Sequence, residues 1–97
     1  MIIEISKSDK PKKKYKAKVE NKTIHFGHSD YEDYTTHKDP VRKQRYLDRH
    51  KTNENWGRSG VDTAGFYSRW ILWNKSNIKA SVSDLNTKYS DLKLVLK

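Results

Sequence analysis

Lys13-Lys14-Tyr15-Lys16-Ala17-Lys18-Val19-Glu20-Asn21-Lys22-Thr23-Ile24-His25-Phe26 is the stretch on which the fold turns. Tyr15, Ala17 and Val19 fall on one side of a period-two alternation, and Lys14, Lys16 and Lys18 on the other. That is the pattern of a strand with one buried face. Glu20-Asn21-Lys22 breaks it with a residue that tolerates left-handed geometry. The alternation then resumes with Ile24 and Phe26 as the apolar pair. The spacing predicts a hairpin over 15–26 whose outer face carries lysines.

Upstream, Ile2-Ile3-Glu4-Ile5 is a short β-type run, closed by a basic, proline-containing segment that ends at residue 12. Downstream, residues 28–36 are acidic and tyrosine-rich, lack a period, and are expected to form a loop. Asp39-Pro40 is a helix start. The Asp carboxylate accepts free N–H groups, and Pro suits the first helical position. This helix is expected to reach about His50. At 100° per residue, Arg42, Arg45 and Arg49 lie within about 60° of one another, with Tyr46, Leu47 and His50 on a packing side. Residues 51–62 read as a loop anchored by Trp56. Thr63 caps a second expected helix over 64–74 that is apolar nearly all round. Ser76 caps a third, with Ile78, Val82, Leu85 and Tyr89 on one stripe. Leu92, Leu94 and Leu96 alternate with Lys93, Val95 and Lys97 as a terminal strand, expected to pair with the hairpin. The reading is a small α+β domain over 1–97: an N-terminal strand and basic segment (1–12), a central block (13–89) and a C-terminal strand (90–97), with hairpin and terminal strand packed on three short helices.

Composition narrows the function. The 97 residues hold 21 Lys+Arg against 12 Asp+Glu, a net charge of +9, with three Trp, six Tyr and two Phe. Aromatic residues in that number supply a core that the low overall hydrophobicity does not promise. With no cysteine, a disulfide framework and a Cys-based zinc site are excluded. No apolar run approaches the ~18 residues of a membrane-spanning helix, so no membrane insertion is expected. The excess of cations favours a polyanionic partner.

Two groups of cations are candidates for phosphate contact. Lys13, Lys14, Lys16 and Lys18 form a dense run of the kind that gives salt-sensitive, sequence-independent affinity. The plain alternative is a solvated strand edge protected by lysine. Arg42, Arg45 and Arg49 present planar forks that match phosphate oxygens; the alternative is an exposed face pairing with Asp39 or Asp48. Trp56, Arg69, Trp70 and Trp73 are candidates for a protein interface, although aromatic residues at helical spacing more often build core. The four histidines invite a metal test, because His25-x-x-His28 precedes Asp30, Glu32, Asp33, His37 and Asp39. The acidic residues have no metal-ligand spacing, however, and His25 faces opposite to Ile24 and Phe26. A metal-dependent nuclease with His37 or His50 as general base is therefore the most distant reading. No catalytic residue, metal or cofactor is expected.

The central block also carries a resemblance. His25-Phe26-Gly27, Tyr31-Glu32-Asp33-Tyr34, His37-Lys38-Asp39, Arg45-Tyr46, Arg49-His50-Lys51, Glu54-Asn55-Trp56, Thr63-Ala64-Gly65-Phe66, Ser68-Arg69-Trp70 and Leu72-Trp73-Asn74-Lys75 resemble small, basic, functionally unassigned proteins encoded by large nucleocytoplasmic DNA viruses of algae and protists. The resemblance spans about residues 13–89 and brings no catalytic residue with it. It implies a viral origin and two roles: a basic protein packaged with the genome, or a minor structural component of the virion shell that meets other virion proteins. The expectation is a non-enzymatic, virion-associated protein that binds nucleic acid through phosphates, with DNA favoured over RNA. It would act in the virion or in the cytoplasm or nucleus of an infected cell. An acidic protein surface is the alternative partner.

Overall fold

The period-two run forms the predicted hairpin. The computed structural model describes all residues, Met1–Lys97, and places β2 at Lys13–Val19 and β3 at Lys22–His28. They pair antiparallel with Tyr15 opposite Phe26 and Ala17 opposite Ile24. The two-residue connection puts its left-handed residue at Glu20, φ 52°, rather than at Asn21.

The sheet has four strands in the order β3-β2-β1-β4. Strand β1 (Ile2–Lys7) pairs antiparallel with β2, and β4 (Lys93–Leu96) lies parallel to β1, with Ile3 beside Leu94. The terminal strand therefore pairs with the N-terminal strand and not with the hairpin. Ile3 and Ile5 are fully buried, so β1 belongs to the core together with the central block.

One face of the sheet carries Ile3, Ile5, Ala17, Val19, Phe26 and Leu94 into the core. Phe66, Tyr67, Ile71 and Leu72 meet them from α3 (Ala64–Tyr67) and the turn of π-helix that follows it, Ser68–Leu72. Val82 and Leu85 come from α4 (Ile78–Lys88). Phe26 and Tyr67 pack with ring centroids 5.6 Å apart. The predicted apolar helix is thus shorter than expected and changes pitch partway: the Trp73 N–H donates to the Ser68 carbonyl at 3.0 Å, a five-residue step. The N-cap of α4 is Asn77, whose side chain accepts from Ala80 N–H, in place of Ser76.

Helix α2 (Pro40–His50) begins where the sequence says. Asp39 Oδ1 accepts from Val41 N–H at 2.9 Å and Arg42 N–H at 3.4 Å, and Pro40 occupies the first turn. Its one buried residue is Tyr46, which stacks on Trp73 at 4.2 Å and 2°. Lys43 Nζ donates to the Asn74 carbonyl at 2.6 Å. Within the expected 28–36 loop the chain forms the start of a one-turn helix, α1 (Tyr34–His37), capped by Asp33.

Candidate functional site

Three pieces of chain meet beside the end of the hairpin. Helix α2 forms one wall with Arg42, Arg45 and Arg49. Lys13, Lys14, Gly27 and His28 form the opposite rim, and Tyr46, Leu72 and Trp73 also line the space between them. The result is a cleft of about 630 Å³. Gly27 belongs here for a steric reason. Its φ is +78°, and a Cβ would stand 2.7 Å from Leu72 Cδ1 and 3.2 Å from Lys14 Cβ.

Five cationic side chains line the cleft, Lys13, Lys14, Arg42, Arg45 and Arg49, against three carboxylates, Glu32, Asp33 and Glu54. The carboxylates are not spread evenly. Lys14 Nζ lies 2.6 Å from Asp33 Oδ2, and the Asp33 side chain is almost fully buried. Asp33 also accepts from the Thr35 N–H and hydroxyl, so Lys14 is held in a structural pair. Arg42 reaches Glu32 at 3.2 Å, both exposed, a geometry worth little in water. Glu54 accepts from Trp56 Nε1 at 2.9 Å and stands 3.4 Å from His50. Lys13, Arg45 and Arg49 have no carboxylate partner and are exposed.

The remaining two candidate lysines lie elsewhere. Lys16 pairs in register with Ser6 and His25, and Lys18 with Glu4 and Thr23. That is the solvent face of the sheet, away from the core. Lys16 also approaches Asp9 at 3.7 Å. The lysine run and the arginine stripe therefore do not form one surface. Lys13 and Lys14 join the arginines, while Lys16 and Lys18 turn away.

The four candidate interface residues engage one another. Trp70 Nε1 donates to the Trp56 carbonyl at 2.8 Å. The Arg69 guanidinium donates to the Trp73 carbonyl at 2.8 Å and lies 4.4 Å from the Trp70 ring centroid. Burial holds the Arg69 pKa below its ordinary value. Lys88 approaches the Trp70 ring at 4.7 Å. All four are partly buried, and side-chain N–H groups of Trp56, Arg69 and Trp70 donate within the fold.

The histidines are dispersed. His25 Nδ1 bonds Ser8 Oγ at 2.7 Å, whereas His28 Nδ1 accepts from Asp30 N–H at 3.2 Å. His37 Nδ1 accepts from Asp39 N–H at 3.0 Å, and its buried Nε2 has no partner. His50 stacks on Tyr46 at 4.4 Å. No three His, Asp or Glu side chains converge as a metal shell would require.

Sequence reasoning missed Tyr31, Glu32, Gly27 and Glu54 as parts of this site. Gly27, directly after the buried Phe26, carried the one local signal: a glycine inside a strand pattern marks a bulge or a close approach.

A model of a family of unknown function (DUF5754) matches residues 3–50, which run from β1 to the end of α2. No curated protein and no solved structure matches the chain. The chain is similar to that family over the segment that supplies the arginine wall and the Lys13–Lys14 rim of the cleft, and the match stops before the residues of the tryptophan cluster.

Proposed function

We propose that this protein binds nucleic acid without catalysis, through phosphate contacts in the cleft between α2 and the end of the hairpin. The observation that carries this reading is the convergence of Lys13, Arg45 and Arg49, none with a carboxylate partner, on one concave surface. Arginine forks suit phosphate oxygens. Three or four cations without an ordered set of base-reading side chains favour sequence-independent binding. Arg42 joins them by exchanging an exposed carboxylate, Glu32, for a phosphate. The resemblance to proteins of large DNA viruses extends the proposal to a virion-associated role with DNA as the nucleic acid.

The test is a salt titration with a DNA oligonucleotide supplied in single-stranded and in duplex form. Displacing about four counterions predicts a loss in affinity of about 50- to 150-fold between 50 and 200 mM salt for at least one form. Replacing Arg42, Arg45 and Arg49 together by Ala should flatten that dependence, and far-UV circular dichroism should remain native. Retention that ignores salt, or no retention of either form at low salt, would overturn the proposal.

A further inference from the structure

We infer that the cleft takes single-stranded rather than duplex nucleic acid, seating one base on the ring of Tyr31 at its rim. The inference rests on the phosphate reading above and adds to it the form of the ligand and the ring that receives it.

The shape of the cleft favours a single strand. The cationic side chains that lack partners line a depression and do not cover a ridge. At about 630 Å³, the space falls within the ~300–1,000 Å³ of pockets that enclose one small molecule. It suits a single nucleotide unit. A helix that reads a duplex must project into a groove, but here α2 is one wall of the hollow. A duplex is convex and turns its bases inward, so it would touch the rims and leave the interior unused.

The aromatic rings of the cleft differ in what covers them. Tyr46 is covered on both faces, by Trp73 at 4.2 Å and by His50 at 4.4 Å. Burial raises its phenol pKa, with Glu54 adding to the effect, so it remains neutral and acts as packing. Tyr31 is the opposite case. It lines the same cleft, yet it is 71% exposed, the most exposed large hydrophobic side chain in the molecule. Its one aromatic neighbour is His28, at 4.9 Å and tilted by 50°. A tilted contact does not cover the ring as the parallel stacking on Tyr46 does. A single exposed aromatic needs no explanation by itself. An exposed aromatic on the rim of a cationic hollow provides what single strands use: a π-face for a base beside charges for the backbone.

Tyr31 is also held in place. Tyr31 N–H donates to the His28 carbonyl at 3.1 Å, and Asp30 N–H donates to His28 Nδ1 at 3.2 Å. The ring is thus carried on a closed turn anchored to the end of β3. Across the cleft, Arg42 to Arg49 covers about 10.5 Å of helix axis, roughly three phosphate steps at the ~3.4 Å rise of a stacked strand. The backbone of one short strand can follow Arg45 and Arg49 while a base turns onto Tyr31. Stacking is indifferent to base identity, in keeping with the sequence-independent charge contacts.

The experiment titrates the protein at low salt with a labelled oligothymidylate of about ten residues, and with a duplex of the same length. It repeats both titrations with Tyr31→Ala and Tyr31→Phe, and uses inorganic polyphosphate as a base-free competitor. The single strand should bind about tenfold or more tightly than the duplex. Tyr31→Ala should cost about 5- to 150-fold on the single strand and leave the duplex unchanged, while Tyr31→Phe retains affinity. Polyphosphate should compete poorly at equal charge. Tyr31 is exposed and outside every helix and strand, so Tyr31→Ala should fold as the parent does. Equal or tighter binding of the duplex, or an unchanged Tyr31→Ala, overturns the inference while salt-sensitive binding leaves the phosphate reading in place. Absence of binding to both forms overturns the two together.

Discussion

Tyr67 is the side chain whose burial and chemistry conflict most. It is fully buried, packed on Phe26 and Phe66 at 5.6 and 5.2 Å, and its hydroxyl has no hydrogen-bond partner. An unpaired buried hydroxyl forfeits its water contacts with no return. Tyr67→Phe should therefore leave stability at neutral pH unchanged or raise it by up to about 1 kcal/mol. The same burial raises the phenol pKa above its ordinary 10.0, with Arg58 opposing and Asp62 adding. The raised pKa fixes the sign of the pH dependence. The unfolded chain ionises first, so the contribution is complete below about pH 10 and is lost as pH rises toward the folded-state value. Urea denaturation at neutral pH and near pH 10.5 should show a shallower alkaline loss for Tyr67→Phe than for the parent, with the share due to Tyr46 remaining. A loss above about 1 kcal/mol at neutral pH would mean that the hydroxyl has a partner in solution.

At the scale of elements, Gly27 joins the hairpin to the π turn. Its positive φ and the 2.7 Å approach of a Cβ to Leu72 Cδ1 predict that Gly27→Ala destabilises the fold by about 2 kcal/mol or more, since both the backbone and a packed leucine must give way. Urea unfolding measures this directly, and a cost below about 0.5 kcal/mol would mean that β3 relaxes freely at this point. The elements that local pattern specifies were legible in the sequence: the Tyr15–Val19 alternation formed β2, and the Asp39-Pro40 cap opened α2. The π turn was not, because a segment apolar on every side has no period from which to read its pitch. Nor was α1. Its cap, Asp33, is also the partner of Lys14, a contact that exists only once the hairpin lies beside it. The choice of β1 over the hairpin by β4 is likewise a long-range pairing. Nothing in Leu92, Leu94 and Leu96 specifies which strand they will join.

At the scale of the whole molecule, the arrangement of charge matters more than its total. The seven candidate cations, a lysine run and an arginine stripe in the sequence, are regrouped by the sheet. Lys13, Lys14 and the arginines face the cleft, while Lys16 and Lys18 face open solvent. Alternation within β2 sets Lys14 on the same side as Lys16 and Lys18, so it did not foretell that Lys14 would join Lys13 and the arginines. It could not say which face would meet α2, because the helix is placed by Tyr46 on Trp73, residues far apart in sequence. This division allows a test that net charge alone cannot pass. Arg45→Ala with Arg49→Ala, and Lys16→Ala with Lys18→Ala, each lower the net charge of +9 by two. Neither pair removes a buried side chain. If a polyanion responds only to overall charge, the two variants should weaken binding equally at every salt concentration. Binding in the cleft predicts a different result. The arginine pair should lose about 150-fold or more at low salt, as two charge-assisted contacts disappear, and its slope against salt should fall by about 1.4 to 1.8. The lysine pair should stay within about twofold of the parent, since its charges act only across a screened distance of order 10 Å. Equal losses in the two variants would move the binding surface from the cleft to the molecule as a whole.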